Sequence, residues 1–548
     1  MIKKHIPVLV VGLLIVLVAL AGGAVYGINK LIPSRKQMDL TEYYGQNADG
    51  EAALILGTEK LEEKALISGE DVYLPLDVVN GYLNQRYYWD SENKKILYAT
   101  PSSLTEEPAS DKADGNVWLK DDTVYLKLDY VKKYTDIDSY IEQDPARVAI
   151  QYKFTNVETV TTKKDTVIRY RGGIKAPILS KLAKNTVLRL MNEGEDWDQV
   201  ATDDGYIGYI QKKKVSAVDT TDYERDFKTE SYTYLTMDEP VNLAWHQVTS
   251  TDANSYFADA VQNTGVNVIS PTWFSVTDNS GNISSLASGE YVMQAHEKGL
   301  KVWGLVDNFN ENMSTTEVLS KTSSRQNLEN QLITYALKAG MDGINVDFES
   351  LSEGVGIHFL QFLRELSIQC HANNLVLSVD NPVPEDFTSH YDRAEQGKVV
   401  DYVIIMGYDE HYVGSDAGSV ASLPWVEQGV KDTLSEVAAQ RTILAIPFYT
   451  RLWKTTDGGA LTSEAIGMDQ AQQTISDNGA ETYWDKKTSQ NYGTYEGDGA
   501  TYQIWLEDSK SIAEKVKLIK KYKLAGVAEW KLGFENSGIW SVITENLS

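Results

Sequence analysis

Cysteine is almost missing from this chain: Cys370 is the only one in 548 residues. No intramolecular disulfide can form, so stability has to come from buried apolar cores. Cys370 falls in a predicted amphipathic helix and reads as a small buried apolar group rather than a nucleophile. Basic residues are also in deficit, 51 Lys and Arg against 78 Asp and Glu, for a formal charge of −27. With no basic excess to neutralise phosphates, a general nucleic-acid binder is excluded. Histidine is sparse. His246, His358, His371, His390 and His411 lie in separate segments without ligand spacing, so neither a catalytic metal nor another cofactor is expected.

One long apolar run is present. Met1-Ile2-Lys3-Lys4-His5 precedes an uncharged stretch from Ile6 to Asn29. That is long enough to cross a bilayer as a helix. Lys3 and Lys4 on its short side predict a cytoplasmic tail at 1–5, a transmembrane anchor at 6–29 and an extracytoplasmic remainder. A cleaved signal peptide, which would leave a secreted protein, is the alternative, with small residues at Ala19 to Ala24. No cysteine follows the run, which excludes a lipoprotein anchor.

Residues 30–55 are polar and acidic and read as a linker. In the next hundred residues a motif recurs: Asp71-Val72-Tyr73-Leu74-Pro75-Leu76-Asp77 returns as Thr123-Val124-Tyr125-Leu126-Lys127-Leu128-Asp129. Two such units are too few for a solenoid and predict one small α+β domain over 56–155. The first copy resembles the small module at the N-terminus of copper amine oxidases, without a histidine to suggest copper chemistry. Residues 160–220 read as closely spaced short strands, which predicts a small β-barrel. Trp197-Asp198-Gln199-Val200 followed by Gly205-Tyr206-Ile207-Gly208-Tyr209 resembles a bacterial Src-homology-3-like domain. That resemblance implies contact with the cell wall; a plain spacer is the competing reading.

From about 235 the pattern changes. Apolar strands are predicted at Val241–His246, Val266–Ser270, Lys301–Val306, Gly343–Phe348, Val376–Val379, Tyr402–Met406, Thr442–Pro447 and Gly526–Trp530, with amphipathic helices between them. Eight strand–helix repeats indicate an α/β fold, a (β/α)8 barrel over 235–548, with a small inserted sheet between the seventh and eighth strands.

The fourth strand carries the chemistry. Residues two apart on a strand share a face, so Asn345, Asp347 and Glu349 project together, opposite Ile344, Val346 and Phe348. Neighbouring carboxyls repel, which raises the pKa of one and suits a proton donor. Asp347 and Glu349 fall at the strand's C-terminal end, where barrel enzymes place their reacting groups. Trp245, Trp273, Met406, Tyr408, Asp409, Tyr449 and Trp530 fall at the ends of other strands. Aromatic rings around two acids suit a sugar.

Asp342-Gly343-Ile344-Asn345-Val346-Asp347-Phe348-Glu349 resembles the signature of glycoside hydrolase family 18, the chitinase-type barrels. Met406-Gly407-Tyr408-Asp409 is similar to the family's second motif, and Trp530 to the Trp of its last strand. The inserted region most resembles the spore-cortex and cell-wall N-acetylglucosaminidase branch. The resemblance implies a retaining, substrate-assisted mechanism on a 2-acetamido sugar. Glu349 would be the acid and base, Asp347 would orient the acetamide, and Tyr408 would bond its oxygen. Asn345, Met406, Asp409, Tyr449, Trp245, Trp273 and Trp530 would line the substrate site, Trp530 as the floor beneath the reacting sugar. The family usually has Asp where this chain has Asn345. An Asn there can still bond Asp347 but cannot exchange a proton with it, so an altered pH profile is expected. The expected substrate is a polymer containing β-linked N-acetylglucosamine, peptidoglycan first. A non-catalytic wall-binding protein and a chitinase are the alternatives.

Overall fold

Strands buried on both faces need apolar side chains on both, and the eight predicted segments supply them. In the computed structural model they form β1 (Val241–His246), β2 (Val268–Val276), β3 (Lys301–Asp307), β4 (Gly343–Asp347), β5 (Val376–Pro382), β6 (Tyr402–Met406), β7 (Thr442–Pro447) and β8 (Gly526–Trp530). Every neighbouring pair is parallel, and β1 pairs with both β2 and β8, which closes the barrel. The structure describes residues 11, 13–18, 30–45, 47–257, 261 and 264–547.

The two faces of the strands do different work. Leu243, Trp245, Val268, Trp303, Leu305, Tyr402, Ile404, Ile443, Ala445 and Ala528 fill the inside. Ile344, Val346, Leu377, Val379, Val403 and Ile405 face outward into a larger core with Leu328, Leu332, Phe359, Phe362 and Leu366 of the surrounding helices. Cys370 is buried in that outer core and free. Gly343 is required by space: a Cβ there would lie 2.7 Å from the Val376 carbonyl oxygen and 2.8 Å from the Trp303 ring. A side chain at that position would displace the indole plugging the barrel.

The helix Thr322–Ala339 delivers the chain to β4. It stops at Gly340, whose φ of 77° lets its N–H reach back to the Ala336 and Leu337 carbonyls. Asp342 then anchors the N-terminal end of the barrel. It accepts from the Val302 N–H at 2.9 Å, from Lys301 Nζ at 2.9 Å and from His296 Nε2 at 2.7 Å. The first acid of the motif is therefore structural, at the end of the barrel away from Glu349.

Between β7 and β8 lies an antiparallel five-stranded sheet with the helix Met468–Asp477 against it. Ile466, Ala471, Ile475, Ile504 and Leu506 form its core. This insertion and the (β/α)8 architecture match the sequence expectation, although β2 runs on to Val276 rather than stopping at Ser270.

The chain divides into two compact units, Met1–Tyr87 with Glu107–Thr229, and Tyr88–Glu106 with Glu230–Ser548. In the first unit the two repeat copies form the strands Asp71–Pro75 and Thr123–Lys127, paired antiparallel with Leu74 opposite Leu126. Each runs into a short helix, Leu76–Val78 or Leu128–Tyr134. A second, seven-stranded antiparallel sheet runs from Val157 to Thr221 around Val160, Ile168, Leu188, Val200 and Ile210. The stretch Tyr88–Glu106 belongs with the barrel unit, where the Tyr88 hydroxyl accepts from Arg325 Nη1 at 3.0 Å. Among the described residues no helix is long and apolar enough to cross a membrane. The tail expected at 1–5 lies outside the described residues, as does most of the anchor expected at 6–29.

Candidate active site

The inward residues near the C-terminal ends of β3, β4 and β5 are acids, above a layer of Leu305, Asn345 and Ser378. Asp307 pairs with Asp347 across the β3–β4 ladder. On the other side Asn345 pairs with Ser378 and Val346 with Val379, so Asp347 and Asp380 are the next neighbours in register. Three carboxyls thus sit side by side, and Glu349 stands two residues beyond Asp347.

Glu349 is half-buried and its backbone is clamped. Its N–H donates to Asn308 Oδ1 at 2.9 Å, and its carbonyl accepts from Asn308 Nδ2 at 3.0 Å. The Asn308 amide also donates to Thr315 Oγ1. Burial raises the Glu349 carboxyl above the usual range, and the charges of Asp409 and Asp307 raise it further. A carboxyl of this kind keeps its proton toward neutral pH and can act as a general acid.

Asp347 is buried at 6% exposure, and its Oδ1 has no hydrogen-bond partner. Burial pushes its pKa well up, with Asp380, Glu349 and Asp307 adding repulsion. Asp380 is pushed the same way by burial, opposed by a bond from Asn345 and reinforced by Glu349. Asp307 is better supported. Its Oδ1 accepts from the Ser275 hydroxyl at 2.8 Å and the Phe309 N–H at 3.1 Å, which oppose the upward push of burial.

Asn345 does not bond Asp347, contrary to expectation. Its Oδ1 accepts from Trp245 Nε1 at 2.9 Å and Ser270 Oγ at 3.1 Å. Its Nδ2 donates to Ser378 Oγ at 3.1 Å and Asp380 Oδ1 at 2.9 Å. A side-chain amide has two acceptor and two donor sites, and all four are taken.

Past β6, Tyr408 is half-buried, and burial above all, with the neighbouring carboxyls of Asp347 and Asp380 adding to it, holds its hydroxyl protonated, as a donor. Gly407 permits the close turn, since a Cβ would meet the Ala445 carbonyl oxygen at 2.7 Å. Asp409 is exposed, with a φ of 63°, and accepts from the Tyr449 hydroxyl at 2.6 Å. The Tyr408 and Tyr449 rings meet edge to face. Met406 is half-buried at the end of β6.

The three tryptophans part company. Trp530 is half-buried at the end of β8, 5.9 Å from Trp245. Trp245 itself is fully buried inside the barrel, where it holds Asn345 and is closed to a substrate. Trp273 is placed elsewhere: it faces the helix layer, stacks edge to face on Tyr291 and donates to Asn254 Oδ1. Counting by twos from the inward Ser270 already puts Trp273 on the outer face, and a register shift between Thr272 and Phe274 then turns Phe274 outward and Ser275 inward beside Asp307.

Asp307, Asn308 and Asp380 belong with the site; their place after the third and fifth strands fits either lining the cleft or simply ending the strand. The signal available in the sequence was a polar residue at the inner end of an otherwise apolar strand. Ser270 and Ser378 show the same signal one layer down.

A model of the glycosyl hydrolases family 18 matches residues 205–535, more than half of the chain. The chain belongs to that family. It is therefore a glycosidase, and the row of acids lies where the family's barrel fold places its reacting groups. The chain is 28% identical to the uncharacterized glycosylase YvbX of Bacillus subtilis over 54% of its length and 89% of that protein. It is 25% identical to the cortical fragment-lytic enzyme of Bacillus subtilis, over 42% of this chain and 56% of that one. The chain thus spans little more than half the length of the second relative. In fold it is similar to the spore cortex-lytic enzyme SleL of Bacillus cereus. The TM-score is 0.52 at 20% identity, over 60% of this chain and 79% of that one.

Proposed function

We propose that this family 18 glycosidase hydrolyses β-linked N-acetylglucosamine-containing glycan, peptidoglycan above all, with retention and with the substrate's own acetamide as nucleophile. Glu349 gives its proton to the glycosidic oxygen as the bond from that oxygen to C1 breaks. The acetamide oxygen bonds to C1 and forms an oxazolinium ion. Asp347 accepts from the acetamide N–H and balances the positive charge there, while Tyr408 donates to the acetamide oxygen. Glu349 then takes a proton from water, whose oxygen displaces the acetamide from C1. Two inversions give retention. Trp530 supports the sugar ring, and Met406, Asp409 and Tyr449 bound the cleft.

The observation that carries this reading is the pairing of a clamped, proton-holding Glu349 with a buried Asp347 that has an unpartnered oxygen. That oxygen is an acceptor waiting for an N–H. Peptidoglycan is favoured over chitin by similarity to a cortical fragment-lytic enzyme. The uncharged run at Ile6–Asn29 supports a membrane-anchored, extracytoplasmic enzyme, and the resemblance of residues 197–209 to a bacterial Src-homology-3-like domain supports a module that contacts the wall.

The test is mass spectrometry of purified peptidoglycan after digestion by the full-length protein and by Glu349→Gln. New reducing ends at N-acetylglucosamine, absent with the variant, are expected. Binding without cleavage by either protein would turn the reading into a wall-binding protein. Cleavage of chitin alone would make it a chitinase.

A further inference from the structure

The proton arrangement around Asp347 goes beyond the roles given above and rests on the substrate-assisted reading. Asp347 and Asp380 are register neighbours on adjacent parallel strands, both inward. Such strands lie about 4.8 Å apart, so the two carboxyls face each other across one ladder spacing. Both are almost fully buried, at 6% and 1% exposure. Two carboxyls so placed resist ionising together near neutral pH, each charge disfavouring the other.

The hydrogen bonds below set the direction. Trp245 and Ser270 donate to the Asn345 oxygen, which forces the Asn345 amide to donate onward to Asp380. Asp380 is thereby stabilised as the ionised member. Asp347 Oδ1 has no donor of this kind, so the resting proton is assigned to Asp347, which must give it up to become the charged acceptor of the acetamide N–H. The other titratable groups facing the pair are Asp307 from β3, Glu349, Tyr391 from the segment after β5, and Tyr408 after β6; Asp409 and Tyr449 face Glu349. Asp307 is held by Ser275 and the Phe309 N–H and faces Asp347 from the opposite side.

We propose that Asp380 is a positioning residue that exchanges a proton with Asp347 during turnover, the task that position 345 cannot perform in this chain. As the acetamide nitrogen gains positive charge, the O–H bond on Asp347 breaks and a new one forms on Asp380. The pair keeps its single negative charge, which moves onto Asp347 beside the charge it balances. The proton returns when water opens the oxazolinium ion. Asn345 supports this from below by keeping one Asp380 oxygen occupied, which leaves the other for the proton.

The experiment measures kcat and KM against pH on solubilised peptidoglycan glycan strands, read as reducing ends. The full-length protein is compared with Asp380→Asn, Asp380→Ser, the double exchange Asn345→Asp with Asp380→Asn, and Glu349→Gln. A mono-ionised pair is stabilised by its internal O–H···O⁻ bond and survives to lower pH than a lone buried carboxylate. Asp380→Asn should therefore lower kcat on the order of 10- to 100-fold with little change in KM. Its acid limb should also move up by about one pH unit. Asp380→Ser should move the limb the same way. The double exchange returns a carboxyl to the neighbourhood of Asp347 and should recover the low-pH limb. The proposal is overturned if Asp380→Asn keeps the parent rate and limb. It is equally overturned if the rate falls with the limb unmoved, since that marks a packing role, or if the folded double exchange is no better than Asp380→Asn. An inactive Glu349→Gln beside a silent Asp380→Asn sinks this inference alone. An active Glu349→Gln sinks the mechanism itself, while the limb of Asp380→Asn is still read.

Discussion

Replacing Asn345 by Asp, the residue usual in the family, is expected to harm this chain, and the structure says by how much and at which pH. The Asn345 amide donates to Asp380 Oδ1 at 2.9 Å, with both side chains buried. A carboxyl cannot make that donation unless it is protonated. The bond lost is one to a charged acceptor, worth about 1.5–3 kcal/mol. Burial and the facing Asp380 charge would raise the folded-state pKa of the new Asp. Below its unfolded pKa of about 3.9 it is neutral in both states, and the penalty is small. As pH rises past that value, the unfolded chain sheds a proton that the native state keeps, so stability falls. The melting temperature of the barrel transition should therefore drop below that of the parent by on the order of 5 °C at neutral pH, and by less in acid. Differential scanning calorimetry of the full chain at a series of pH values reads this directly. The acid limb of the pH–rate curve should shift as well. A melting gap that is constant with pH, or a variant as stable as the parent with an unchanged pH–rate curve, refutes the argument. Adding Asp380→Asn to the variant should narrow the gap, because the facing carboxylate is gone.

Three other outcomes follow from the same geometry. Asn308→Ala removes both bonds that fix the Glu349 backbone, so kcat should fall on the order of 10- to 100-fold with KM nearly unchanged; a parent-like kcat in steady-state assays would show the clamp to be idle. Asp342→Ala removes the acceptor for the Val302 N–H at the far end of the barrel and should cost about 1–3 kcal/mol in denaturant unfolding. Its kcat should stay at the parent value, and a large loss of kcat would contradict the structural role given to the motif's first acid. Asp409→Asn removes the largest charge holding the Glu349 carboxyl up, after burial itself. A general acid must be protonated to work, so the alkaline limb of kcat/KM should move to lower pH, and a limb that stays in place would deny the coupling.

The barrel was legible because its strands are buried on both faces, and such strands announce themselves as short apolar runs whatever they pack against. Six of the eight predicted strands begin and end within one residue of those observed; β2 and β5 run longer at their C-terminal ends. The alternation through Gly343–Glu349 was legible for the same local reason: a strand's period of two holds wherever no bulge intervenes. Trp273 shows the limit. The segment runs on as a strand to Val276, so alternation from Ser270 sends that ring outward, and the register shift between Thr272 and Phe274, which depends on how β2 fits β3, makes Ser275 rather than Phe274 the neighbour of Asp307.

Local rules thus determined the (β/α)8 fold, the face carrying Asn345, Asp347 and Glu349, and the strand ends holding Tyr408, Tyr449 and Trp530. Pairing across the sheet decided the rest, because a side chain's partners come from strands tens or hundreds of residues away. Trp245 became a support instead of a sugar platform because its indole reaches Asn345, 100 residues on. Asn308 became a clamp because the end of β3 lies beside the turn after β4. Asp380 became the neighbour of Asp347 only when parallel pairing set β5 against β4, and no reading of either segment alone contains that contact.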